Sequence, residues 1–109
     1  MDLETGRRFN ALKKHLEEEF GPDLNVQSIL FLIGVQEYGK GYQKFSKDQK
    51  VDLMHVAICT LLEPHGYYEF VGRDEDNWPH FETKDTLPNL KPDEQQELIT
   101  LAILDYFGF

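Results

Sequence analysis

The spacing of apolar residues predicts four helices, with one extended stretch between the third and the fourth. Phe9, Leu12, Leu16 and Phe20 recur at intervals of three and four, which puts them in one narrow stripe on a helix over about residues 5–20. Gly21-Pro22 stops it. The run Glu17-Glu18-Glu19 sits where the helix dipole disfavours acids and is read as a solvated helix end. The second helix starts after Asp23 or Asn25, either of which can cap it, and ends at Gly39. Its apolar residues Val26, Ile29, Leu30, Phe31, Leu32, Ile33 and Val35 cover nearly every direction around the axis, the pattern of a central helix.

Ser46-Lys47-Asp48-Gln49 fits a capping box and opens the third helix. Val51, Met54, Ile58, Leu61 and Leu62 form its expected apolar face, and Glu63-Pro64 ends it. The fourth helix takes Pro92 in its first turn, with Asp93 and Glu94 favourable to the dipole there. Leu98, Leu101, Ala102 and Leu104 give its expected buried side. Residues 66–90 break the helical period: Tyr67 to Val71 has strand propensity, Gly72 to Asn77 is a polar turn, and Trp78 to Thr83 can return as a partner strand. The expected fold is mainly α: one compact four-helix domain over residues 1–109, with a small β-hairpin-like or irregular insertion between helices 3 and 4.

Composition narrows the function classes. Twenty acids against eleven bases leave a net charge of −9, which repels phosphate backbones and anionic membranes. The charge is unevenly placed. Residues 63–109 hold three bases and eleven acids, whereas residues 38–62 hold four bases and two acids. Acidity therefore belongs to the C-terminal half and points to a partner with a basic or amphipathic surface. One cysteine, Cys59, allows neither an internal disulfide nor a multi-cysteine zinc module. The longest unbroken apolar run, Ile29 to Ile33, is far short of the roughly 20 residues that span a bilayer. The start of the chain lacks the basic and apolar regions of a signal peptide. The expected setting is cytoplasmic, with no membrane association and no cofactor.

Three constellations carry candidate chemistry. On the third helix Asp52, His55, Cys59 and Glu63 fall within about 80° of arc. This stripe could serve a metal ion, or a Cys59 nucleophile with His55 as base. A di-iron bundle is excluded, because Asp52-x-x-His55 has no second carboxylate-x-x-His pair. The segment from Tyr38 to Lys47 interleaves lysines and aromatics before a helix N-terminus. Lys40, Lys44 and Ser46 are its candidate anion-binding residues, for phosphate or unpaired bases, although Walker spacing is absent. The acidic turn Arg73 to Asn77 is flanked by aromatics. EF-hand spacing fails there because Trp78 and Pro79 occupy the next required positions. Tyr68, Asp74, Glu75, Asp76, Trp78 and His80 form a candidate contact surface, with Trp78 as its exposed anchor.

Glu37 and Asp105 fall on apolar helix faces but lie in last turns, and are read as reaching solvent. The chain runs to Tyr106-Phe107-Gly108-Phe109, where Phe109 either tucks inward or docks on a second copy, a homodimer through the fourth helix. The leading expectation is a protein–protein interaction module acting through residues 67–82. The first alternative is a metal-binding or thiol-dependent enzyme using Asp52, His55, Cys59 and Glu63. The second is a phosphate or single-stranded nucleic-acid binder using residues 38–50. The balance is against an enzyme, and no catalytic or metal residue is firmly assigned.

Overall fold

The computed structural model describes residues 2–41, 43–84 and 90–109. Tyr42 of the lysine–aromatic segment and residues 85–89, after the expected return strand, lie outside the described residues. The chain is mainly α, with helices α1 (Leu3–Phe20), α2 (Val26–Tyr38), α3 (Lys47–Leu62) and α4 (Pro92–Phe107). A two-stranded antiparallel hairpin, β1 (Tyr68–Arg73) and β2 (Pro79–Thr83), lies between α3 and α4 in the chain. A short 3₁₀ turn, Glu63–His65, joins α3 to the hairpin. Contacts divide the chain into two compact units, residues 1–26 with 88–109, and residues 27–87.

The first unit holds α1 and α4, which contact each other. Asp2 caps α1 by accepting the Thr5 N–H at 2.7 Å, and Gly21 ends it at φ +102°, a conformation that glycine adopts without a Cβ penalty. Leu12 and Leu16 of the expected stripe are buried, Phe9 is half-buried, and Phe20 is exposed. Glu17 turns its carboxylate to the Leu24 N–H at 3.2 Å, so this member of the acidic run is used in the turn. The α4 cap also uses a carboxylate, Glu94 accepting the Lys91 N–H at 3.1 Å. At the other end Gly108 is left-handed and Phe109 N–H returns to the Leu104 carbonyl at 2.9 Å, closing the helix. Phe109 rests against the His15 ring, 5.4 Å between centroids, and its carbonyl accepts from Arg8 Nε at 2.8 Å. Asp105 is exposed; Thr100, Ala102, Ile103 and Leu104 are the buried residues of α4, with Leu98 and Leu101 half-buried.

The second unit is built on α2, α3 and the hairpin. Ser46 and Gln49 form the expected capping box: Ser46 Oγ accepts the Gln49 N–H at 3.2 Å, and Gln49 Oε1 accepts the Ser46 N–H at 2.8 Å. The apolar side of α3 differs from its sequence reading. Leu53, Val56, Ala57, Cys59, Leu61 and Leu62 are buried, Met54 and Ile58 are half-buried, and Val51 is 59% exposed. Leu53 is buried in place of Val51 because it meets α2. A Cβ on Gly34 of α2 would overlap the Leu53 carbonyl oxygen and stand 2.6 Å from its carbonyl carbon. The two backbones therefore approach at a point where no side chain fits. None of α2's apolar residues is fully exposed, in line with its all-round apolar pattern.

The obstacle at Gly34 is backbone, which cannot rotate away as a side-chain end can. Gly34→Ala is expected to destabilise the protein by at least about 2 kcal/mol despite alanine's better helix propensity. Urea unfolding measures this as a lowered midpoint with an unchanged slope.

Candidate functional site

The hairpin turn is organised by one acid. Asp74 N–H donates to the Trp78 carbonyl at 3.1 Å, and the Asp74 carbonyl accepts the Asn77 N–H at 2.9 Å, which closes a β-turn over Asp74 to Asn77. Asp74 Oδ1 accepts the N–H groups of Asp76 at 2.9 Å and Trp78 at 3.0 Å, while Oδ2 meets His80 Nε2 at 2.9 Å. Aspartate suits this place because its short carboxylate reaches backbone two residues ahead. Asn77 takes a left-handed φ of +66°, which asparagine tolerates better than most residues. Along β1 the pairing shifts between Phe70 and Gly72, leaving Val71 in a bulge.

The hairpin is then fastened to two helices. Arg73 donates from its guanidinium to the carbonyls of Glu37 at 2.5 Å, Tyr38 at 3.2 Å and Asn77 at 2.9 Å. Asn77 Nδ2 donates to the Tyr38 carbonyl at 3.3 Å, and the Tyr38 and Trp78 rings meet with centroids 5.0 Å apart. On the α3 side, Glu63 Oε2 accepts the Phe70 N–H at 2.6 Å. Phe70 and Phe81 face each other across the strands in an edge-on contact at 5.5 Å. Glu69 and Glu82 are also direct cross-strand partners, and among the described residues neither takes part in an ion pair. Phe70 is 43% and Val71 50% exposed.

Among the described residues, several grooves border this hairpin. One of about 190 Å³ is lined by Asp52, His55 and Cys59 of α3 and by Trp78, His80 and Phe81 of the hairpin. A second, of about 330 Å³, lies by Glu37, Thr60, Glu63, Phe70 and Arg73. A third, of about 410 Å³, is lined by Tyr38, Lys40, Gln43, Phe45, Gln49, Asp74, Asp76 and Trp78.

These positions sort the candidates. Asp52, His55 and Glu63 are exposed and Cys59 is buried, with its Sγ 3.9 Å from each ring nitrogen of His55. Three of the four residues of the stripe line one groove, whereas Glu63 is committed to Phe70 and borders another. Burial pushes the Cys59 thiol up to about 11, the opposite of an activated nucleophile. Among the described residues no three His, Cys, Asp or Glu side chains stand where they could hold a metal ion. Ser46 spends its hydroxyl and its N–H on Gln49, and Lys40 Nζ lies 5.5 Å from the Tyr38 ring centroid in a groove that Asp74 and Asp76 also line. In the contact surface Glu75 and Asp76 are exposed at the tip, His80 is exposed and paired with Asp74, and Tyr68 is half-buried. Trp78 is half-buried against Tyr38, not the exposed anchor the sequence suggested, because Asp74 and Asn77 turn it back onto α2.

Sequence reasoning missed the roles of Arg73, Phe70, Val71 and the Glu69/Glu82 pair. Gly72, read from the sequence as the start of the turn, lies inside β1, where an isolated strand glycine marks a bulge. Comparison with protein-family models, with curated proteins and with solved structures finds no match. No helix among the described residues is long and apolar enough to cross a membrane.

Two outcomes follow from these groups. With a thiol near 11 against an ordinary value of 9.0, folded protein near neutral pH holds about a hundredfold less Cys59 thiolate than the unfolded chain. Iodoacetamide should label Cys59 at least that much more slowly in buffer than in denaturant; equal rates would contradict the buried thiol. The hydrogen bond from His80, followed by the Trp78 N–H, holds the Asp74 carboxyl below the usual aspartate range. Its contribution to stability is thus present above that range and lost as the pH falls through the lowered value. The Trp78 and Asp76 amide resonances should shift together on acidification, and Asp74→Asn should remove that shared titration while retaining an oxygen acceptor.

Proposed function

We propose that the protein is an interaction module whose hairpin receives a basic or amphipathic segment of a partner protein. The observation that carries this is a hairpin that leaves Phe70 and Val71 exposed on the strand where Glu69 is paired with Glu82, a glutamate pair in no ion pair among the described residues. Like charges directly opposed on a sheet destabilise it, and a lysine or arginine from outside relieves that cost. The apolar pair supplies the desolvated contact that steering charges alone do not. Glu75 and Asp76 at the tip extend the negative field toward an approaching cation. A cytoplasmic setting goes with this reading, supported by the net charge and by a single buried thiol.

Glu69→Lys tests the reading through two opposite effects. It converts a repulsive pair into an attractive one and should raise stability by roughly 0.2–1 kcal/mol. It should also abolish capture of partners retained by the wild-type chain, as Val71→Asp should, whereas Glu18→Lys on α1 should leave capture intact. Affinity capture with mass spectrometry, run beside thermal unfolding, reads both. Partners retained equally by all four proteins would overturn the proposal.

A further inference from the structure

We infer that the groove beside Tyr38 and Trp78 is a receptor for a quaternary or fully methylated ammonium group, and that Lys40 is its resident competitor. This goes beyond the hairpin-face reading, whose Phe70 and Val71 do not line this groove.

Cations bind aromatic faces through the ring quadrupole, most strongly to tryptophan, and the attraction grows when the cation is weakly hydrated. Tyr38 and Trp78 pack on each other with centroids 5.0 Å apart and ring planes inclined at 59°, and the pair lines the groove together. Both rings sit on anchored backbone. The Tyr38 carbonyl is held by Arg73 and Asn77, and the Trp78 N–H by Asp74. Preorganisation of this kind lowers the entropic cost of binding. Phe45 adds a third aromatic to the lining and Asp76 an exposed carboxylate, while the Asp74 carboxylate there is already taken up by the Asp76 and Trp78 N–H groups and His80.

The second observation is an ammonium already at the site. Lys40 Nζ lies over the Tyr38 ring, 5.5 Å from its centroid. A primary ammonium retains water strongly, whereas a trimethylammonium head has little hydration to lose. A volume of about 410 Å³ admits such a head with part of its chain. The ligand class is thus a small choline-like molecule or a trimethylated lysine on another protein, and the two share the recognised group.

Trp78 is the only tryptophan, so its emission reports on the groove. The full chain is titrated with choline, with N-acetyl-trimethyllysine amide, and with 3,3-dimethylbutan-1-ol, the neutral isostere of choline. The expected result is a saturable change with one or both cations and none with the alcohol. Response to choline alone identifies a small-molecule source and response to the lysine derivative a protein source; either supports the site. Lys40→Gln should bind the responding cation about two- to fivefold more tightly than wild type, the strength of one exposed cation–π contact. Tyr38→Phe should retain binding and Tyr38→Leu should lose it, with circular dichroism confirming that each is folded. Equal quenching by the alcohol, or a Lys40→Gln protein that binds no cation or binds it no more tightly than wild type, would overturn the inference.

Discussion

Arg73 donates to the carbonyls of Glu37, Tyr38 and Asn77, and the arrangement of the second unit depends on it. The last carbonyls of a helix have no partner inside the helix and must find donors elsewhere. In α2 those donors come from a segment more than thirty residues further along the chain. Arginine is suited to this because its planar fork can serve several acceptors at once. One guanidinium therefore caps the helix, holds the end of β1 and ties down the turn. The contact of Trp78 with Tyr38, and the groove beside them, follow from where that fork is held.

The acids of the C-terminal half separate into two kinds. Asp74 and Glu63 are committed to backbone N–H groups, one closing the turn and the other fastening Phe70 to the end of α3. Glu69, Glu82, Glu75 and Asp76 are exposed, and the two strand glutamates face each other. A net charge that looks like a uniform property of the sequence is thus partly structural and partly available. Only the available part can steer a partner, because a carboxylate already saturated by donors presents a weaker field to solvent.

The helical stripe of Asp52, His55 and Cys59 illustrates how far periodicity reaches. Helix geometry does bring these residues to one groove beside Trp78 and His80. Yet reactivity depends on solvation, and Cys59 sits on the buried side of the stripe while His55 and Asp52 sit on the exposed side. Burial favours the neutral thiol, so proximity to an imidazole at 3.9 Å does not amount to activation.

Local signals in the sequence determined the number and order of the helices, the capping box at Ser46 and Gln49, the stop at Gly21, the end of α2 before Gly39, and an extended stretch with an acidic turn between α3 and α4. All of these rest on interactions within about five residues, where spacing alone dictates which groups can meet. Tertiary structure decided what depends on distant neighbours. Leu53 rather than Val51 is buried because α2 approaches α3 at Gly34, and Trp78 turns inward because Arg73 and Asn77 bind the end of α2. Phe70 and Val71 are left outside because a bulge and the Glu63 contact set the register of β1. Apolar spacing specifies that a residue can be buried; only the element packed against it determines whether it is.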